Sequence, residues 1–248
     1  MLKKIKKDYC LDNYKFLIGN KSNIHKVSYF YNNQNFKNKK ILFLDFEFSK
    51  EYNIYEMGGL ILQDGKIIKK IFKEFQLPMD NSIFNFDTKR MIPVTKKFNK
   101  GKDKLKPKKI LDLVDSVDYI VCHNYVAEVK CILKLKFPDL PYNVKNCDLM
   151  DNNKIICTNY SFSNKYFKDN FNLCDFSNSG ISNRLNWKVN LIGKEIIVEN
   201  KAIDKKFSIT PPKSFFKASN QNIHNSFYDS VITLTNFLSC RYIEEDLK

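Results

Sequence analysis

The eight residues Ile41 to Phe48, ILFLDFEF, constrain this chain more than any other stretch: six are apolar, the composition of a buried β-strand. Asp45 and Glu47 interrupt that run two residues apart, a spacing at which both side chains leave a strand on the same face. Two like charges so placed raise each other's pKa unless a cation lies between them. Desolvating even one carboxylate in a core costs roughly several kcal/mol unless it is paired. Either the acids surround a cation, or this is a strand end whose acids point to solvent or meet nearby lysines. The stretch alone leaves both readings open.

The surrounding pattern is that of an α/β protein. After the strand at 41–48 come a second at 55–62, the turn Gln63-Asp64-Gly65-Lys66 and a third strand at 67–75, because Asp-Gly between apolar runs marks a hairpin. Pro78 and Pro93 bracket an irregular crossing. Residues 108–116 read as a short helix, 117–122 as a strand, and 127–137 as an amphipathic helix that ends at Pro138. Another strand is expected at 143–150. Residues 151–220 are the least legible part, with a hairpin pattern over 190–198. A final helix over 225–242 carries Phe227, Val231, Leu234 and Leu238 on one stripe. Strands alternating with helices imply an α/β sheet with some parallel pairing.

Two later motifs carry chemistry. In Val121-Cys122-His123-Asn124-Tyr125-Val126-Ala127-Glu128 a strand runs into a His-Asn turn and then a helix with an acid in its first turns. The helix dipole favours that acid, which lies beside the carboxyl end of a strand, where α/β sheets hold ligands. An ordinary first-turn glutamate has the same pattern. In His224-Asn225-Ser226-Phe227-Tyr228-Asp229, the histidine enters the last helix and Asp229 lies among apolar neighbours. Five residues turn about 140° around a helix, so the two reach one site only if His224 stands on the preceding loop. A plain N-cap or loop histidine is the other reading. Taken together, Asp45, Glu47, Glu128 and Asp229 supply four carboxylates and His224 one imidazole. Mg²⁺ and Mn²⁺ prefer carboxylate oxygens, and two such ions clamp the attacking and leaving oxygens of a phosphodiester.

These motifs resemble those of the DEDDh family of 3′-to-5′ exonucleases. Asp45-Phe46-Glu47 is similar to the first motif, followed by the family's acid-hydrophobic-Gly step as Glu56-Met57-Gly58-Gly59; His123-Asn124 with Glu128 is similar to the second, and His224 with Asp229 to the third. Pro93 and the stretch Cys147-Asp148-Leu149 also fit, and the likeness spans about residues 41–242. There are two departures. Glu128 stands where the family has Asp, similar to nidovirus proofreading exonucleases, whose zinc sites the cysteine spacing here does not support. Residues 151–220 look partly β where the family is helical. The resemblance implies a ribonuclease H-like mixed sheet of about five strands flanked by helices, over an exonuclease domain at 41–248 with a divergent, partly β insertion at about 151–220. It implies two divalent cations, Mg²⁺ or Mn²⁺, held by Asp45, Glu47, Glu128 and Asp229, with His224 as general base. The substrate would be single-stranded DNA or RNA with a free 3′ end. Phe46, Phe48 and Met57 are candidates to stack or wedge the terminal base, and Asn124 to orient the turn. A homodimer or a polymerase or replication partner is compatible with the resemblance, although no residues point to either.

Composition narrows the alternatives. The formal charge is +15 over 248 residues, which suits a polyanion, although a lysine- and asparagine-rich bias from AT-rich coding produces the same charge. Seven scattered cysteines with no Cys-x-x-Cys pair argue against a disulfide framework and a structural zinc site. No apolar run approaches about 18 residues and the stretch MLKKIKKDYCLDNYKF of the basic extension 1–40 has no apolar segment long enough for a signal peptide, so a soluble, cytoplasmic protein is expected, with no membrane partner. Two rivals share the fold: a nucleic-acid-binding module without catalysis, with Glu128 as its lesion, and a ribonuclease H-like endonuclease or strand-transferase, which needs no His224–Asp229 step.

Overall fold

The computed structural model describes residues 36, 38–85, 88–123, 125–138, 155–159, 177–218 and 225–245. Its centre is a five-stranded mixed sheet built from β1 (Lys40–Phe48), β2 (Ile54–Gln63), β3 (Lys66–Glu74), β6 (Tyr119–Cys122) and β7 (Ile155–Cys157), in the spatial order β3-β2-β1-β6-β7. β2 runs antiparallel to β1 and β3, whereas β6 is parallel to β1 and β7 parallel to β6. This is the ribonuclease H-like mixed sheet expected from the sequence. The Asp-Gly hairpin forms as read: Asp64 and Gly65 both adopt positive φ, 51° and 75°, as a two-residue turn between right-twisted strands requires.

Alternation along β1 splits the core into two layers. Ile41 and Phe43 face α4 (Ser226–Glu245), packing with Phe227, Val231, Leu234 and Phe237. Leu42, Leu44 and Phe46 face the other way, against Ile110 and Val114 of α1 (Pro107–Asp115) and Cys131, Ile132 and Leu135 of α2 (Tyr125–Lys136). Asp45 and Glu47 therefore continue the row that lies under α4, at the end of β1 where the apolar residues stop. Pro107 opens α1 with its fixed φ, and α2 ends two residues before Pro138.

Between β7 and α4 stand α3 (Asn178–Arg184) and an antiparallel sheet of β8 (Trp187–Ile192), β9 (Glu195–Asn200) and β10 (Lys205–Ile209), which contains the hairpin expected at 190–198. Trp187, Ile196, Val198 and Ile209 are buried in the same cluster as Phe43 and Phe227, so this small sheet is joined to the main core. The crossing between Pro78 and Pro93 is not irregular but a short hairpin, β4 (Ser82–Asn85) with β5 (Arg90–Pro93), each too short for alternation to show in sequence. The fifth strand of the main sheet is Ile155–Cys157, inside the stretch that was hardest to read, and the strand expected at 143–150 lies outside the described residues. Most of the basic extension 1–40 is likewise outside them. Among the described residues no helix is long and apolar enough to cross a membrane.

Gly58 fixes where α4 crosses the sheet. A Cβ at Gly58 would lie 2.0 Å from the backbone nitrogen of Phe227 and 2.1 Å from the carbonyl carbon of Ser226. Gly58→Ala should therefore push α4 off β2 and destabilise the protein by about 2 kcal/mol or more, measured as a lower urea midpoint with unchanged m-value.

Candidate active site

The close approach at Gly58 is matched by hydrogen bonds. Oε1 of Glu56 accepts from the Ser226 backbone nitrogen at 2.7 Å and from Ser226 Oγ at 2.9 Å, so a β2 carboxylate caps the first turn of α4. Asn225 Oδ1 accepts from the nitrogens of Phe227 and Tyr228 at 3.1 and 3.3 Å, completing the cap. In the β1–β2 register Asp45 is opposite Gly58 and Glu47 opposite Glu56. The helix that passes over Gly58 thus delivers its first-turn acid, Asp229, to the acids of β1. One carboxylate oxygen from each of Asp45, Glu47 and Asp229 lies within 4.8 Å of the others. Asn178 of α3 steadies that turn, donating through Nδ2 to the Asp229 carbonyl and to Thr233 Oγ1, both at 2.9 Å.

Glu128 approaches from the other layer. It sits in the first turn of α2, just past the end of β6, and is 4% exposed, with Oε2 buried and without a hydrogen-bond partner. All four acids line one open cavity of ≈ 550 Å³ at the carboxyl end of β1 and β6. His123 lines it too, its Nδ1 3.0 Å from Thr158 Oγ1. Ser177, Ser179 and Asn183 form a neutral polar wall opposite, beside Val189 of β8, whose carbonyl accepts from the Tyr228 hydroxyl.

The electrostatics are those of an uncompensated cluster. Burial, then repulsion from Asp229, Glu47 and Glu128, holds the Asp45 carboxyl well above the usual carboxylate range. Glu47 is raised by burial and by Asp229 and Glu56, and the Tyr55 hydroxyl, 3.4 Å from Oε2, opposes the shift. Burial pushes Asp229 up to about 7 and Glu128 up to about 8. Among the described residues no lysine or arginine pairs with any of the four. Converging carboxylates, one with an orphaned buried oxygen, fit hard divalent cations with oxygen ligands. Asp45, Glu47 and Asp229 would hold such an ion, with Glu128 within the same cavity.

The other candidates divide. Phe48 lines the cavity, half-buried and stacked on Tyr52 at 5.3 Å with 19° between the rings. Phe46 borders it but is only 3% exposed, and Met57, 2% exposed, is buried in the α1–α2 layer, where it has no surface to stack on a base. A strand places neighbours on opposite faces, so Phe46 cannot share the side of Asp45 and Glu47. Asn124 and His224 lie outside the described residues. Sequence reasoning missed Tyr55 on Glu47 and the wall from α3 and β8; Ser177 to Arg184, SNSGISNR, has no apolar period to announce a helix.

For the metal-free protein the sign of the pH dependence follows. The folded pKa values of about 7 and about 8 lie above ordinary unfolded values of about 3.9 and 4.3, so unfolding is favoured progressively as pH rises through that range. In EDTA the melting temperature should fall between pH 5 and pH 8, and less in Glu128→Gln. Mn²⁺ should raise it more at pH 8 than at pH 5. A melting temperature in EDTA that rises with pH over this window, or an equal Mn²⁺ effect at both, would count against the cluster.

No family model matches the sequence, and no curated protein matches it significantly. Among solved structures the chain is similar to exonuclease X in complex with 5′-overhanging duplex DNA, at 13% identity and a TM-score of 0.42, over 83% of this chain and 93% of that one.

Proposed function

We propose that the chain is a metal-dependent 3′-to-5′ exonuclease acting on single-stranded DNA or RNA. The observation that carries this reading is the convergence of Asp45, Glu47, Asp229 and Glu128 on one cavity in which, among the described residues, no lysine or arginine stands among them. Two bound Mg²⁺ or Mn²⁺ ions would supply Lewis-acid stabilisation of the attacking and leaving oxygens. The protein's own contribution is placement. Oxygens of Asp45, Glu47 and Asp229 lie within 4.8 Å of one another, and the Glu56 and Asn225 caps hold the first turn of α4 that carries Asp229. The cavity has a volume suited to a small polar ligand such as a terminal nucleotide. Phe48 and the neutral wall of α3 and β8 border the space that nucleotide would fill.

In the reaction a water oxygen forms a bond to the terminal phosphorus, and the bond from phosphorus to the 3′ oxygen of the penultimate nucleotide breaks. The products are a nucleoside 5′-monophosphate and a strand one residue shorter. The family resemblance gives His224 the part of taking the water's proton. Glu128 has one methylene more than the family's Asp and enters from the start of α2.

A 5′-labelled single strand incubated with Mg²⁺ or Mn²⁺ should be shortened from its 3′ end one nucleotide at a time. Asp45→Asn, Asp229→Asn and Glu128→Gln should each lower the rate by about 10²-fold or more while circular dichroism shows the fold intact. A fully active Asp229→Asn protein would remove this site from the reaction. A circular single strand should resist digestion; its cleavage would favour the endonuclease, and binding without hydrolysis the inactive module.

A further inference from the structure

A second cavity, also ≈ 550 Å³, lies on the opposite face of the sheet between β3 and α1. Its floor is apolar, offered by the half-buried Ile71 and Leu113 over the buried side chains of Met57, Phe75 and Ile110. Its rim carries five exposed lysines, Lys69 and Lys73 on β3 and Lys104, Lys106 and Lys109 around the start of α1, against the single acid Asp103. Among the described residues none of the five has an ion pair or side-chain hydrogen bond. Lysines are abundant throughout this chain, so their number is less informative than their arrangement. They stand on two facing walls of a concave surface, where low-dielectric walls focus the positive field. Lys69 and Lys73, four residues apart on one strand, emerge on the same side about 13 Å from each other.

The register ties this groove to the acidic site. Lys73 pairs with Met57, and Met57 with Phe46, the residue between Asp45 and Glu47. The groove is thus two strand spacings, ~10 Å, from β1, at the same level of the sheet but on its other face.

We infer that this groove is a second nucleic-acid contact that holds the sugar-phosphate backbone away from the end engaged in the acidic cavity. The lysines neutralise phosphates with release of condensed counterions, and the apolar floor lies against sugar carbons. The inference rests on the nucleic-acid part of the proposed function and not on its hydrolytic part.

The test measures binding of a fluorescent 20-nucleotide single strand by anisotropy in EDTA, over a series of KCl concentrations. The variant Lys69→Glu/Lys73→Glu/Lys106→Glu is compared with Lys66→Glu/Lys194→Glu/Lys206→Glu, in which three exposed lysines elsewhere are reversed. Each triple lowers the formal charge of +15 by six, two for each of three residues. The groove triple should weaken binding at least about tenfold more than the other, and flatten the slope of log Kd against log salt by about 2, at ~0.7 per lost phosphate contact. The milder Lys69→Gln/Lys73→Gln/Lys106→Gln variant should show the same trend, which guards against a folding defect. Equal weakening by both charge-reversed triples, or no binding by the wild type, would overturn the inference. Hydrolysis of a p-nitrophenyl ester of a nucleoside 5′-monophosphate with Mn²⁺ should be unchanged in the groove triple. If the wild type fails to hydrolyse that ester, the hydrolytic reading fails while the binding comparison still decides the groove.

Discussion

The site depends on one close crossing, the first turn of α4 over Gly58. No other residue type fits there, since any Cβ would meet the helix backbone at 2.0 Å. The approach leaves the helix's first amides facing β2, and Glu56 supplies the acceptor that Ser226 needs. Because Gly58 is paired with Asp45, the same contact that docks the helix sets the separation between Asp229 and Asp45. Packing and site geometry are here one constraint. Glu56 is itself buried, which pushes its carboxyl up to about 7, and the two Ser226 bonds work against that shift.

The second constraint is electrostatic and runs against stability. Four carboxylates in one cavity, with no lysine or arginine paired to them among the described residues, oppose folding whenever they are ionised. A chain with so many lysines had ample opportunity to pair them. The apolar rows of β1 and α4 supply the compensating burial: Phe43 and Phe227 are fully buried beneath the acids, and the small sheet adds Trp187 to the same cluster. Strain of this kind, concentrated at one end of a well-packed sheet, is characteristic of functional sites.

Much of this was legible in the sequence, for identifiable reasons. ILFLDFEF combined a long apolar run with acids at strand spacing, and Asp64-Gly65 marked a turn that only a hairpin satisfies. Glu128 and Asp229 could be placed in first turns because strand and helix patterns around them were clear. Residues whose surroundings are set by distant segments were not legible. Met57 has the chemistry of a stacking residue, but its position between Gly58 and Glu56 turns it to the α1–α2 core. β7 is three residues long and β4 and β5 four each, below the length at which periodicity speaks. Glu56 was visible as part of a motif, whereas its role as a cap from another element depends on a contact across 170 residues.

The central claim is that Asp45, Glu47 and Asp229, with Glu128 beside them, form one cation site. A crystal of the protein soaked in Mn²⁺ and measured near the manganese edge tests it most directly. Anomalous density should appear among Asp45, Glu47 and Asp229, at coordination distances of about 2.0–2.3 Å from their oxygens and within reach of Glu128 directly or through water. Well-ordered carboxylates at this position with no anomalous density at millimolar Mn²⁺, or density only at surface acids elsewhere, would contradict the account.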